Sequence, residues 1–251
     1  MRCGARNTPV AVVLPGSAST ADFVRRAFEG PLVAAGFCLV TTDPPGGPRV
    51  LDDQLRALDE AADRFRPALL GGVSLGAHLV ARWAGANGRE SSGLLLVMPA
   101  WTGPPGAVAA VSAATATDVE RDGVAATLTR IRSGVAPEGP GSWVVDELAA
   151  AWPRYPDAEL AAVLRSTASS DGPELATLAG LDLPCGVVAL TDDPLHPAAV
   201  ASEWAGALPA GSLVRTDLAT VGADRSTLGA AALQAWASAG GASAGGQGSK
   251  R

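Results

Sequence analysis

The feature that most constrains this chain is a repeated alternation of short apolar segments and longer amphipathic ones. Six segments of strand length are apolar and bounded by turn residues: 10–14, 37–41, 68–73, 93–98, 186–190 and 212–216. Five amphipathic segments of helix length accompany them: 21–35, 51–65, 75–86, 198–208 and 227–237. Strands that are apolar throughout are typical of a sheet covered on both faces, and their alternation with helices indicates parallel pairing. The pattern predicts an α/β fold with a mostly parallel sheet of about six strands and helices on both faces.

The alternation stops in the middle of the chain and again at its end. Residues 101–180 contain helical segments in succession without a convincing strand, which predicts a helical cap inserted into the fold. We therefore expect one domain over residues 1–238, with its cap at about residues 101–180. Residues 239–251 read AGGASAGGQGSKR and hold no large apolar side chain that would offset the entropy of ordering, so they predict a disordered tail.

Composition and net charge limit the kinds of molecule that this chain is expected to bind. The 251 residues are 47% hydrophobic and 18% charged, which is enough apolar material for one well-buried core. The net charge of -6 makes a nucleic-acid partner unfavourable, because a phosphate backbone would be repelled. No apolar stretch approaches the ~20 residues of a membrane span, and the N-terminal segment lacks the apolar part of a signal peptide. We expect a soluble, cytoplasmic protein that requires neither metal nor cofactor; oligomeric state is open.

One short motif carries the chemistry. Residues 72–76 read Gly-Val-Ser-Leu-Gly, a G-x-S-x-G pentapeptide that follows the predicted strand 68–73 and opens the predicted helix 75–86. A serine at a sharp turn between strand and helix needs small neighbours, because the two elements pass close to each other there. Ser74 is then raised above the sheet at the positive end of a helix, where backbone N–H groups can stabilise a developing negative charge.

In this context the chain resembles the α/β-hydrolase family, from about residue 9 to residue 237. The resemblance implies that Ser74 is the nucleophile. It also implies an oxyanion hole formed by backbone N–H groups of Leu75 and of Gly16 or Ser17, since VVLPGSAST follows the first strand. The alternative interpretation of residues 14–16 is an ordinary turn between strand and helix.

The resemblance places the acid of such a site directly after the strand at 186–190. Residues 191–197 read Thr-Asp-Asp-Pro-Leu-His-Pro, so Asp193 takes the position of the acid, and Asp192 could replace it. Alternatively, either aspartate serves only as a cap for the helix that begins near Pro197.

The base is where the chain departs from the family, which places a histidine in the loop after the final strand. Residues 219–226 contain none, and the chain has just two histidines, His78 and His196. His196 can act as the base only if its loop leans towards Ser74; otherwise it caps the next helix or lines the mouth of a pocket. His78 is one helical turn past Ser74, beneath it, and is expected to make a buried hydrogen bond instead.

Two further groups bear on a ligand. Trp101, Trp143, Trp152 and Tyr155 fall within the predicted cap, where they either close an apolar pocket over Ser74 or pack the cap against the core. Asp224 and Arg225 form a possible ion pair in the space that the family's histidine normally occupies.

These features support two functions. The first is a serine hydrolase that cleaves a carboxylic ester or thioester, a small-molecule substrate, with Ser74, His196 and Asp193 as its catalytic residues. The second is a catalytically inactive protein of the same fold that binds an acyl or anionic ligand or a protein partner, as the missing histidine suggests. A dinucleotide-binding domain is not supported, because no G-x-G-x-x-G follows the first strand.

Overall fold

The computed structural model describes residues 8–87 and 91–242, and within them six parallel strands form one sheet. The order across the sheet is β2-β1-β3-β4-β5-β6. The strands are β1 (Val10–Leu14), β2 (Cys38–Val40), β3 (Leu69–Val73), β4 (Gly93–Val97), β5 (Cys185–Leu190) and β6 (Gly211–Thr216). All six predicted strands are confirmed, each bound lying within one residue of its expected position. Because every neighbouring pair is parallel, the carboxyl ends of all six strands meet at one edge.

Helices cover both faces of the sheet, as the apolar strands require. One face carries α1 (Ala21–Ala34) and α10 (Ser226–Ser238), and the other carries α2 (Val50–Phe65), α3 (Leu75–Asn87) and α8 (Ala198–Ala207). Alternate residues of a strand point to opposite faces, so Val13 packs with the first group and Val12 with the second. The predicted fold class is confirmed.

Between β4 and β5 the described chain forms helices and no strand. These are α4 (Ala107–Ser133), α5 (Ser142–Ala151), a single 3-10 turn (Trp152–Arg154), α6 (Asp157–Ala168) and α7 (Leu175–Ala179). We call the α4–α7 segment the cap. Its apolar core also includes Ala18 and Val50, so the cap packs on the loop that follows β1 and on the first residue of α2. The bounds expected for the domain and the cap stay predictions.

A sharp bend divides α4. Gly123 has φ +81°, a backbone conformation that glycine adopts without strain, and the N–H of Val124 donates to Asp157 of α6 at 3.3 Å. Residues on both sides of this bend pack against α6, since Val119 and Val124 share one apolar cluster with Leu160.

The short helix α9 (Leu218–Ala223) fills the connection between β6 and α10. At the end of α10, the N–H of Gly241 donates to the carbonyl of Trp236 at 3.0 Å, which closes the last turn. Most of the predicted tail, residues 243–251, lies outside the described residues. Among the helices that the structure describes, none combines the length and the apolar character needed to cross a membrane.

Candidate active site

Ser74 lies at the junction of β3 and α3 in a strained conformation. Its φ is +54°, in the left-handed region that residues with a side chain rarely adopt. A side chain on Gly72 would collide with the backbone of Gly76, and one on Gly76 would collide with the carbonyl oxygens of Leu14 and Pro15. The N–H of Ser74 donates to Val97 at 2.9 Å, which extends the pairing of β3 with β4 by one residue. The two glycines therefore permit the tight turn that raises Ser74 above the sheet.

The structure brings Ser74, His196 and Asp193 together. His196 Nε2 lies 2.9 Å from Ser74 Oγ, and His196 Nδ1 lies 2.7 Å from Asp193 Oδ2. A carboxylate can only accept, so Nδ1 carries the proton and Nε2 is the acceptor for the Ser74 hydroxyl. The side chains of His196 and Asp193 are 17% and 9% exposed, and Ser74 is half-buried. This is the geometry of a nucleophile, a base and the acid that orients the base.

The charge of Asp193 is stabilised where it lies. Desolvation by burial raises the pKa of this carboxyl, but the hydrogen bond and the Coulombic interaction with the His196 ring, together with the backbone N–H groups of Leu195 and His196, lower it by more. The net result is a pKa below the ordinary value. Asp193 is thus ionised at neutral pH, as the orienting group of a histidine must be.

Asp192 and Asp193 point to different partners. Asp192 Oδ1 accepts the N–H of Leu218 at 2.8 Å, so this side chain reaches α9 rather than His196. Helix α8 begins after Pro197 without a side-chain cap. The alternatives in which these aspartates or His196 cap that helix are therefore wrong, because their side chains are already engaged elsewhere.

The residues expected to form an oxyanion hole adjoin Ser74. A Cβ added to Gly16 would lie 3.2 Å from Ser74 Cβ and 3.8 Å from Ser74 Oγ, so the backbone after β1 passes directly beside the serine. Ser17 follows in the same turn, in which the N–H of Ser19 donates to the carbonyl of Gly16 at 3.3 Å. Leu75 is the first residue of α3, where N–H groups have no partner inside the helix.

His78 has a structural role, as the sequence predicts. Its ring is 1% exposed, and its Nε2 accepts the N–H of Ala100 at 3.0 Å. The rings of Trp101 and Trp204 lie next to it, with centroids 4.8 and 5.2 Å away. Burial, with smaller Coulombic contributions from His196 and Arg82, lowers the pKa of His78 to about 3. A ring that remains neutral and already accepts a backbone N–H is not the base for Ser74.

The segment after β6, where the family places its histidine, is occupied by α9. The predicted ion pair of Asp224 with Arg225 is wrong: Arg225 Nε instead contacts Glu147 of the cap at 3.1 Å. The Arg225 guanidinium also lies over the ring of Trp143, 4.2 Å from its centroid. Asp224 accepts the N–H of Ser226 and thereby stabilises the start of α10.

The aromatic residues of the cap do not form one cluster. Trp143 stacks on Phe23 of α1, whereas Trp152 and Tyr155 belong to the apolar core of the cap. Trp101 packs near the start of the cap. The interpretation that these side chains pack the cap against the core is therefore correct, and a shared aromatic pocket over Ser74 is not formed.

A surface cleft lies beside the loop of His196. Trp101, Val108, Leu175, Pro197 and Glu203 are among the residues that line it. Because Pro197 directly follows His196, the cleft reaches the end of the loop that carries Asp193 and His196. Within the described ranges no three His, Cys, Asp or Glu side chains are grouped as a metal site would require.

Neither protein-family models nor curated proteins match this chain. Solved structures do. A hydrolase from Pseudomonas aeruginosa PA01 is 22% identical with a TM-score of 0.68, over 94% of this chain and 92% of that one. An alpha/beta hydrolase enzyme from a Medee basin deep-sea metagenome library is 13% identical with a TM-score of 0.68, over 94% of this chain and 92% of that one.

The enol-lactonase from Burkholderia xenovorans LB400 is 17% identical, with a TM-score of 0.66 over 85% of each chain. At these identities the similarity concerns architecture, and it agrees with the parallel six-stranded sheet covered by helices. The chain has the α/β-hydrolase fold.

Proposed function

We propose that this protein is a serine hydrolase that cleaves a carboxylic ester or thioester, a small-molecule substrate, through an acyl-enzyme on Ser74. The observation that carries this proposal is the pair of contacts made by one ring: His196 lies 2.9 Å from Ser74 Oγ and 2.7 Å from Asp193. A serine hydroxyl is a poor nucleophile until a base removes its proton, and these contacts supply a base held in the required tautomer.

In the first half of the reaction, Ser74 Oγ attacks the carbonyl carbon of the substrate while its proton passes to His196 Nε2. The imidazolium that results is stabilised by the carboxylate of Asp193. The tetrahedral intermediate places its negative oxygen near the N–H groups of Leu75 and of Gly16 or Ser17. His196 then gives the proton to the leaving alcohol or thiol, and the acyl group remains on Ser74.

In the second half, water replaces the leaving group. His196 takes a proton from the water as it attacks the acyl carbon, and then returns that proton to Ser74 Oγ. The free acid departs and the enzyme is restored without any cofactor. The names of the structural neighbours fit this class of reaction, since a lactone is a cyclic ester.

The inactive alternative has lost its main support. It rested on the absence of a histidine after the last strand, but His196 reaches Ser74 from the loop after β5. We also propose a cytoplasmic location, on which the reaction described above does not depend.

The proposal is tested by labelling with a fluorophosphonate probe together with hydrolysis of p-nitrophenyl acetate. We expect the wild type to be labelled and active, Ser74→Ala to show neither property, and His196→Ala to be labelled far more slowly. Leu195→Ala is the matched control, because this side chain is 40% exposed and lies in the same loop. The substitution keeps the backbone N–H that donates to Asp193. Wild-type protein that resists the probe, or labelling that survives Ser74→Ala, would contradict the proposal.

A further inference from the structure

The acid and the base of the proposed site share one short loop. Asp193 and His196 are three residues apart between β5 and α8, so the attachment of this loop determines the position of both. At its start the N–H of Thr191 donates to the carbonyl of Thr216 at 2.9 Å, which continues the pairing of β5 with β6. The next attachment is made by the side chain of Asp192.

Asp192 ties the loop to the beginning of α9. Its Oδ1 accepts the N–H of Leu218 at 2.8 Å, and Leu218 is the first residue of that helix. The helix already has a cap of its own, because Asp217 Oδ1 accepts the N–H of Thr220 at 2.8 Å. The contact of Asp192 is therefore not needed as the cap of α9, and what it adds is a connection between two segments 26 residues apart.

The cap holds α9 from the other side. Trp143 Nε1 donates to the carbonyl of Leu218 at 2.8 Å, so the N–H and the C=O of one residue are engaged in opposite directions. A side chain on Gly222 would lie 2.7 Å from Trp143 Cδ1, which shows how closely α9 packs on the indole. The ion pair of Glu147 with Arg225 adds a second contact between α5 and the segment after β6.

We propose that Asp192 and Trp143 are positioning residues, which couple the cap to the loop of Asp193 and His196 through the backbone of Leu218. This inference rests on the proposed function. A hydrogen bond of 2.9 Å between His196 and Ser74 tolerates little displacement, and a misplacement of about 1 Å can lower a rate by about 10²-fold. Neither residue touches the reacting atoms, so both act through the loop.

The first test is steady-state hydrolysis of p-nitrophenyl acetate. We expect Asp192→Ala to lower kcat about tenfold with KM unchanged, because the orientation of the base is affected and the site that binds substrate is not. Asp192→Asn should stay within about twofold of wild type, since its amide oxygen can still accept the N–H of Leu218. The exposed residue Asp182 provides the control Asp182→Ala, which should match wild type.

Coupling is tested with the double variant. We expect Trp143→Phe alone to lower kcat about threefold. The double variant, Asp192→Ala with Trp143→Phe, should remain about tenfold below wild type, because the two changes break one connection. Losses that multiply to about thirtyfold would show two independent contacts and overturn the coupling.

A second readout does not depend on activity. Amide hydrogen exchange in residues 191–197 should become faster in Asp192→Ala and in Trp143→Phe, while Asp192→Asn and Asp182→Ala exchange as wild type does. Exchange and kcat both unchanged in Asp192→Ala would overturn the role of Asp192. If Ser74→Ala retained full hydrolysis, the proposed function would fail, whereas the exchange data would still decide whether Asp192 and Trp143 hold this loop.

Discussion

The two histidines of this chain lie close to the same serine in opposite surroundings. His196 is in a loop above the sheet, and each of its ring nitrogens has a partner that can exchange or orient a proton. His78 is one turn into α3, 1% exposed, and its pKa falls to about 3 because the charged ring would be buried. Proximity to Ser74 along the chain thus gives no catalytic competence. A base needs an environment that accepts its charged form.

Substituting each histidine in turn is the strongest test of the different roles of His196 and His78. We expect His196→Ala to lower kcat/KM for p-nitrophenyl acetate by about 10⁴-fold, because the proton of Ser74 then has no acceptor. His78→Gln should lose less than about tenfold, since the glutamine amide can still accept the N–H of Ala100. Leu195→Ala serves as the control for the loop. Equal losses in the two histidine variants would show that the assignment of roles is wrong.

The second-largest expected effect concerns Asp193, which contacts the ring of His196. Asp193→Asn should lower kcat by about 10³-fold, because the amide lacks the charge that stabilises the imidazolium and can favour the wrong tautomer. Asp192→Asn, the same change at the adjacent position, should leave kcat within about twofold. Steady-state kinetics on both variants measures the contrast, and similar losses would mean that the two carboxylates are not divided as the structure divides them.

The smallest expected effect is a change in the free energy of unfolding with pH that is due to His78. Its folded pKa of about 3 lies below the ordinary 6.5, so between these values the unfolded chain binds a proton that the folded chain does not. Stability therefore falls as pH decreases through this window, by about 2 kcal/mol between pH 6.5 and 5. Asp193 has a lowered pKa as well, but its contribution is lost only below its ordinary value of 3.8.

Urea denaturation of wild type and His78→Gln at these two pH values measures this contribution. The variant should be less stable at the higher pH but should lose about 2 kcal/mol less on acidification. Parallel pH dependences for the two proteins would show that His78 is not held in its neutral form by folding.

Much of this molecule follows from local pattern. The strands are recognisable because each is a short apolar run between turn residues, and the turn at Ser74 because Gly72 and Gly76 permit it. The position of the His196 ring is different, since a loop side chain is aimed by contacts distant in sequence, here the bond of Asp192 to Leu218. Adjacency also misleads: Arg225 pairs with Glu147, 78 residues away, and not with its neighbour Asp224.

Neighbouring positions on one loop have a consequence for recognising such proteins. Because Asp193-Pro194-Leu195-His196 carries two of the three proposed catalytic side chains, a chain without a histidine after its last strand can still bring a histidine to the serine. A relative that lacks a histidine at its C-terminal end should therefore be searched for a D-x-x-H tetrapeptide after the preceding strand before it is counted among the inactive members of this fold.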